Sequence, residues 1–99
     1  MPRPKRWRWI GFRPGVTYYK PRGVPLRLLD EIKLSMDEVE ALRLADYQGM
    51  DQIKAAKAMK VSQSTFQRIL TAARQKVSES LVEGKAMRIE GGRVRMRHG

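Results

Sequence analysis

The chain has no cysteine and a single histidine, His98, next to its last residue. The first absence excludes a disulfide framework, a thiolate zinc site and a thiol nucleophile. The second removes most imidazole-based catalysis and metal binding, so neither a cofactor nor a metal site is expected. Acid is missing from the whole stretch Met1 to Arg27. Long apolar runs are missing too: none could span a bilayer, and the N-terminus lacks the apolar centre of a signal peptide. No membrane partner is therefore expected. The lack of thiols fits a reducing compartment, and the expected location is cytoplasmic, associated with the nucleoid.

What is present is positive charge. Ninety-nine residues carry 21 Lys and Arg against 10 Asp and Glu, a formal net charge of +11. A chain of that length makes one small domain, and the excess favours a polyanionic partner, nucleic acid ahead of an anionic membrane.

The arm, residues 1–33, free of acid as far as Arg27, carries Arg3, Lys5, Arg6, Arg8, Arg13, Lys20, Arg22 and Arg27 in that stretch. Five prolines and three glycines between Pro2 and Pro25 exclude a long helix. Short strands are expected at Trp7–Phe12 and Val16–Tyr19. In the first, alternation puts Trp7 and Trp9 on one side, Arg6 and Arg8 on the other. Three readings stand for this arm: aromatics packing over a helical core, basic residues tracking phosphates, and a membrane-surface peptide, against which the prolines argue. The first two combine if aromatics point inward and arginines outward.

Residues 34–84 read as helices. Glu31–Leu34 is a short extended entry. Ser35, with Glu38 three residues on, forms a capping box, and Leu34 with Val39 a hydrophobic staple. That helix runs through Asp46 and ends near Gly49; Asp37, Glu38 and Glu40 read as capping and a solvated face. Asp51 opens the next helix, Gln52 to Met59, with Ile53, Ala56 and Met59 as its apolar side. Lys60 takes the turn, where a left-handed backbone costs about 1 kcal/mol relative to Gly. Ser62 caps a long helix from Gln63 to about Glu83, stopped by Gly84. Its apolar stripe is Phe66, Ile69, Leu70, Ala73, Val77 and Leu81, and the end from Val77 to Val82 is a candidate dimer contact. Its other side carries Gln63, Ser64, Gln67, Arg68, Thr71 and Gln75, with Arg74 on the flank.

The tail, residues 85–99, has the grammar of a hairpin turning at Gly91-Gly92. In that register Ile89 faces Val94, Met87 faces Met96 and Arg88 faces Arg95, giving a basic wing. The alternative is a single strand, Met87 to Glu90, pairing with the arm before a disordered basic end. The expected fold class is thus mainly α: a three-helix core built on a helix-turn-helix, with an extended basic N-terminal arm and a short C-terminal strand or hairpin.

The run Leu34-Ser35, Glu38, Glu40-Ala41-Leu42-Arg43-Leu44-Ala45-Asp46 and Gly49, followed by the two-helix unit, resembles region four of bacterial sigma factors and the DNA-binding domains of LuxR-type regulators. More closely, the chain resembles a small prokaryotic family, domain of unknown function one-three-four. The carrying residues are Pro2-Arg3, Lys20-Pro21, Gly23-Val24-Pro25-Leu26, Glu40 to Asp46, Ser62, Thr65-Phe66, Arg68-Ile69-Leu70, Ala73-Arg74, Lys76-Val77, Gly84-Lys85-Ala86 and Arg88 to Gly92. The resemblance covers almost the whole chain and implies a DNA-binding protein. Lys60 departs from the Gly usual at the turn. Some relatives have N-terminal cysteines or an added domain, and this chain has neither, so metal or redox sensing is not implied.

Together these readings lead to one expected function: sequence-specific binding of double-stranded DNA by a transcriptional regulator. The helix from Gln63 would enter the major groove. Gln63 and Gln67 suit adenine edges, Arg68 suits guanine N7 and O6, and Ser64 suits a phosphate or thymine methyl. Thr65, Thr71, Arg74, Lys60, Lys54, Arg6, Arg8, Arg88 and Arg95 are the expected backbone contacts. A homodimer is expected, since a lone unit of this size rarely reaches specific affinity. Two other readings remain: a sigma-like module that contacts RNA polymerase with non-specific nucleic-acid affinity, and RNA binding by bases stacked on the aromatic arm. No activated nucleophile or phosphate-cradling loop supports an enzyme.

Overall fold

Helix starts are written locally, and the chain forms them where its caps stand. The computed structural model describes residues 7–97. Helix α1 (Met36–Leu42) begins with a complete capping box: the Glu38 N–H donates to Ser35 Oγ at 3.4 Å, and the Ser35 N–H donates to the Glu38 carboxylate at 2.9 Å. A π-helical turn, Arg43–Tyr47, extends it before Gly49 reverses the backbone with φ 68°. Helix α2 (Gln52–Met59) starts at Asp51, whose carboxylate accepts the Lys54 N–H at 2.9 Å. It ends in Lys60 at φ 59° and ψ 40°, the left-handed conformation. Helix α3 (Gln63–Glu83) starts at Ser62, whose hydroxyl accepts the Thr65 N–H at 3.1 Å, and stops at left-handed Gly84.

These helices share one core. Ala41 and Leu44 meet Ala55, Ala56 and Met59 of α2 and Phe66, Ile69 and Leu70 of α3, all buried. Two apolar positions do not follow the expected stripes. Ile53 is 56% exposed, because α2 turns Ala55, Ala56 and Met59 inward and leaves Ile53 off that face. On α3 the stripe fades toward its end: Val77 is half-buried and Leu81 is 77% exposed.

The expectation of a mainly α fold is overturned. Of the described residues 48% are helical and 18% strand, a compact α/β fold with two small sheets. The strands are β1 (Arg8–Ile10), β2 (Tyr18–Tyr19), β3 (Glu31–Leu34), β4 (Ala86–Ile89) and β5 (Val94–Met96). One sheet has the order β2-β4-β3, with β4 antiparallel to β2 and parallel to β3. The other is a parallel pair, β1 with β5. An extended arm held against a core must pair its backbone groups, and the tail supplies the partners.

That pairing corrects the hairpin. Ile89 lies beside Leu34, Arg88 between Tyr18 and Lys33, Arg95 beside Trp9 and Met96 beside Ile10. Gly91-Gly92 instead crosses the start of α1. The Gly91 carbonyl accepts the Met36 N–H at 2.9 Å, and a Cβ on Gly92 would sit 2.8 Å from Asp37 Oδ1. Both glycines have positive φ, 79° and 98°, so this crossing needs them twice over. The alternative reading was half right: β4 does pair with the arm, but the segment after it forms β5. His98 lies outside the described residues. Among the described residues, no helix is long and apolar enough to cross a membrane.

Candidate nucleic-acid interface

Burying Phe66, Ile69, Leu70 and Ala73 fixes which side of α3 is left outside. Gln63, Ser64, Gln67, Arg68, Thr71, Arg74 and Gln75 are all exposed. Within that set the hydrogen bonds are short-range. Ser64 Oγ lies 3.2 Å from the capping Ser62 Oγ, and Gln67 Nε2 donates to Thr71 Oγ1 at 3.5 Å. Arg68 Nη2 reaches Thr65 Oγ1 at 3.4 Å and has no carboxylate partner among the described residues. An uncommitted guanidinium beside two exposed primary amides leaves donors and acceptors available to another molecule. A shallow hollow lined by Gln52, Gln63, Ser64 and Gln67 adjoins a second lined by Asp51, Gln52, Ile53, Lys54, Lys57 and Gln63. Together they form an open groove between the starts of α2 and α3.

Lys54 and Lys57 line this groove and Lys60 stands at the turn from α2 to α3; all three are exposed and without carboxylate partners among the described residues. Lys60 stands over the Trp9 ring, its Nζ 5.3 Å from the ring centroid. Lys57 was not anticipated, although its spacing of three from Lys54 on an exposed helix side was the available signal.

Several expected phosphate contacts are engaged elsewhere. Arg8 was expected outward; its Nη1 donates to Asp37 Oδ2 at 3.0 Å, pinning the arm to the start of α1. Within β1 alternation does separate Trp9 from Arg8, but the inward side is the arginine side, because Ile10 shares it and is fully buried. Arg88 forms two hydrogen bonds to Glu31, at 3.0 and 3.1 Å, and lies over the Tyr18 ring. Glu31 raises the Arg88 pKa, while Arg88 and the Tyr18 hydroxyl hold the Glu31 carboxyl below its usual range. Arg74 forms a bidentate pair with Asp46, at 2.6 and 3.0 Å, which raises the arginine pKa and lowers that of the acid. Thr65 is half-buried, its Oγ1 accepting from Ser62 at 2.9 Å. Arg95 is exposed and without a carboxylate partner among the described residues. Arg6 lies outside them.

The acids of α1 also differ from expectation. Asp37 and Glu38 do lie in the first turn, Glu38 in the capping box, but all three acids, Glu40 included, are buried rather than solvated. Each is matched by a cation: Arg8, Lys76 at 2.8 Å, and Arg43 at 2.8 Å. Glu40 also accepts the Gly11 N–H at 2.8 Å, tying the arm down a second time. The Arg43 guanidinium, held above its usual pKa by Glu40, stacks over Phe12 at 5.7 Å. Charge on this side of the protein is consumed by the fold.

The chain is similar to curated proteins over nearly its whole length. A UPF0251 protein of Caldanaerobacter subterraneus subsp. tengcongensis is 52% identical over 96 residues, covering 97% of this chain and 81% of the relative. One from Dehalococcoides mccartyi strain 195 is 55% identical over 92 residues, covering 93% of this chain and 79% of the relative. One from Moorella thermoacetica is 54% identical over 92 residues, covering 93% of this chain and 62% of the relative. No solved structure matches. A family described as "Protein of unknown function DUF134" matches residues 1–97, and the chain belongs to that family.

Proposed function

We propose that this protein binds double-stranded DNA in a sequence-specific way and acts as a transcriptional regulator. In this reading α2 and α3 are a helix-turn-helix, and α3 is laid in the major groove. Gln63 and Gln67 pair with adenine edges, Arg68 with guanine, and Ser64 with phosphate or a thymine methyl. Lys54, Lys57 and Lys60 neutralise flanking phosphates, and Thr71 completes the backbone contacts. Arg74, held by Asp46, fixes the flank of the helix rather than searching for a ligand.

The observation that carries the reading is the outer side of α3, where Arg68, beside Gln63, Ser64 and Gln67, is exposed and has no carboxylate partner among the described residues. In a protein of net charge +11 that surface suits a polyanion. A homodimer belongs to the same proposal, through the exposed Leu81 and Val82 at the far end of α3. The proposed place of action is the nucleoid. The test is selection of binders from a pool of random duplexes. A defined winner is expected, palindromic if two copies bind together, and a pool that never converges would leave no role for these side chains as base readers.

A further inference from the structure

The parallel pairing of β1 with β5 joins the two ends of the chain into a two-stranded ribbon beside α2. Aligned residues of a parallel pair project to the same face. Arg8 and Ile10 face inward, the first bonded to Asp37 and the second fully buried. The other face therefore carries Trp9 beside Arg95. Arg93 and Arg97 flank Arg95, and all three arginines are exposed without a carboxylate partner among the described residues. Arg97 Nη1 reaches the Ala58 carbonyl at 3.5 Å, which sets that end of the ribbon against the last turn of α2. Lys60, over the Trp9 ring, links the ribbon to Ser62, the cap of α3. The left-handed backbone at Lys60 is what turns α2 into α3 at this point.

We propose that this ribbon is a phosphate clamp for the same duplex that α3 reads, gripping the backbone beside the N-terminal end of that helix. The inference rests on duplex DNA as the ligand of α3. Its own support is separate: exposed arginines at alternate positions along an edge strand and its flanks, without carboxylate partners among the described residues, continuous through Lys60 with the helix start. Arg8 and Arg88, which composition alone would have enlisted, are excluded because carboxylates hold them. The clamp recognises charge and carries no sequence information.

The test compares the wild-type chain with the triple variant Arg93→Gln, Arg95→Gln, Arg97→Gln in titrations of a labelled duplex over a range of KCl concentrations. The duplex is the winner of the random selection, or a mixed-sequence one if there is none. Each phosphate contact adds about 0.9 to the slope of log affinity against log salt, so the slope should fall in magnitude by about 2 to 3. The ratio of affinities for preferred and scrambled duplex should not move. The corresponding triple lysine variant should restore the slope, since it restores the charge, and a thermal melt of each variant establishes that it folds.

A second readout is built in, because the chain has two tryptophans, Trp7 and Trp9, and both belong to this segment. Duplex binding should protect their emission from acrylamide, and Trp9 alone should report it in the Trp7→Phe variant. An unchanged slope in the glutamine variant, a slope that lysine does not restore, or unprotected tryptophans would overturn the clamp. So would a single-stranded competitor that protects the tryptophans better than duplex, which would make the ribbon a platform for unpaired bases. A preferred duplex with an unchanged slope removes the clamp and keeps the α3 reading. A falling slope with no preferred duplex keeps the clamp and removes the reading.

Discussion

The start of α1 and the groove between α2 and α3 treat charge in opposite ways. At α1 three buried carboxylates, Asp37, Glu38 and Glu40, are matched by Arg8, Lys76 and Arg43, and two of them hold the arm. At α2 and α3, Lys54, Lys57, Lys60 and Arg68 are exposed and lack carboxylate partners among the described residues. The described basic residues are thus of two kinds: some are structural, spent on internal acids, and others stay exposed with no carboxylate partner among the described residues. A basic composition alone does not separate them. The partner of each cation does.

Removing a matched acid should have the largest effect. Glu40→Ala leaves Arg43 and the Gly11 N–H without their acceptor and should destabilise the protein by about 3 kcal/mol or more, read in a urea titration. A loss below about 1 kcal/mol would mean that this pair does not hold the arm. Next is Gly92→Ala, which adds a Cβ 2.8 Å from Asp37 Oδ1 at a positive φ of 98°. It should cost about 1–3 kcal/mol by the same measurement. On the other side of the comparison, the ribbon variant and Arg68→Ala should leave stability within about 0.5 kcal/mol of wild type, because these side chains are exposed and make only long hydrogen bonds, Arg97 to the Ala58 carbonyl and Arg68 to Thr65.

The exposed pairs should contribute least. Arg74→Ala should cost below about 1 kcal/mol, since its partner Asp46 is exposed as well. Their pH dependence has a definite sign. Arg74 lowers the Asp46 pKa and Arg88 lowers that of Glu31. A depressed carboxyl contributes stability above its unfolded value and loses it as pH falls through the folded value. These pairs should therefore show a small loss of stability setting in below about pH 4 and none between pH 5 and 8. Thermal melts of wild type and Arg74→Ala across that range check it; the two curves should converge in acid.

What could be read from the chain, and what could not, divides by distance along it. Ser35 with Glu38, Ser62 before Gln63, Gly84 and the left-handed Lys60 are local signals, and each element begins or ends where they stand. Strand partners are not local. Gly91-Gly92 satisfied the pattern of a two-residue turn, but those signals cannot reveal that Met36 offers a free N–H, or that β1 and β3 await partners. In the arm, alternation separated Trp9 from Arg8 but could not say which side faced inward. Ile10, on the arginine side, was the residue that decided it. The exposure of Gln63, Ser64, Gln67 and Arg68 was legible because Phe66, Ile69 and Leu70 fix the inner side of α3, and the outer side follows from 3.6 residues per turn. The burial of Glu40 was not, since an acid near a helix start is satisfied by the dipole whether it is solvated or not.

The claim on which the rest depends is that the outer side of α3 discriminates between bases. It is tested most directly by the ratio of affinities for a selected duplex and its scrambled counterpart, in wild type and in Arg68→Ala at one salt concentration. The predicted result is a ratio reduced by about 5- to 150-fold, equivalent to about 1–3 kcal/mol, with scrambled-duplex binding changed far less. An Arg68→Ala protein that keeps the wild-type ratio would contradict it.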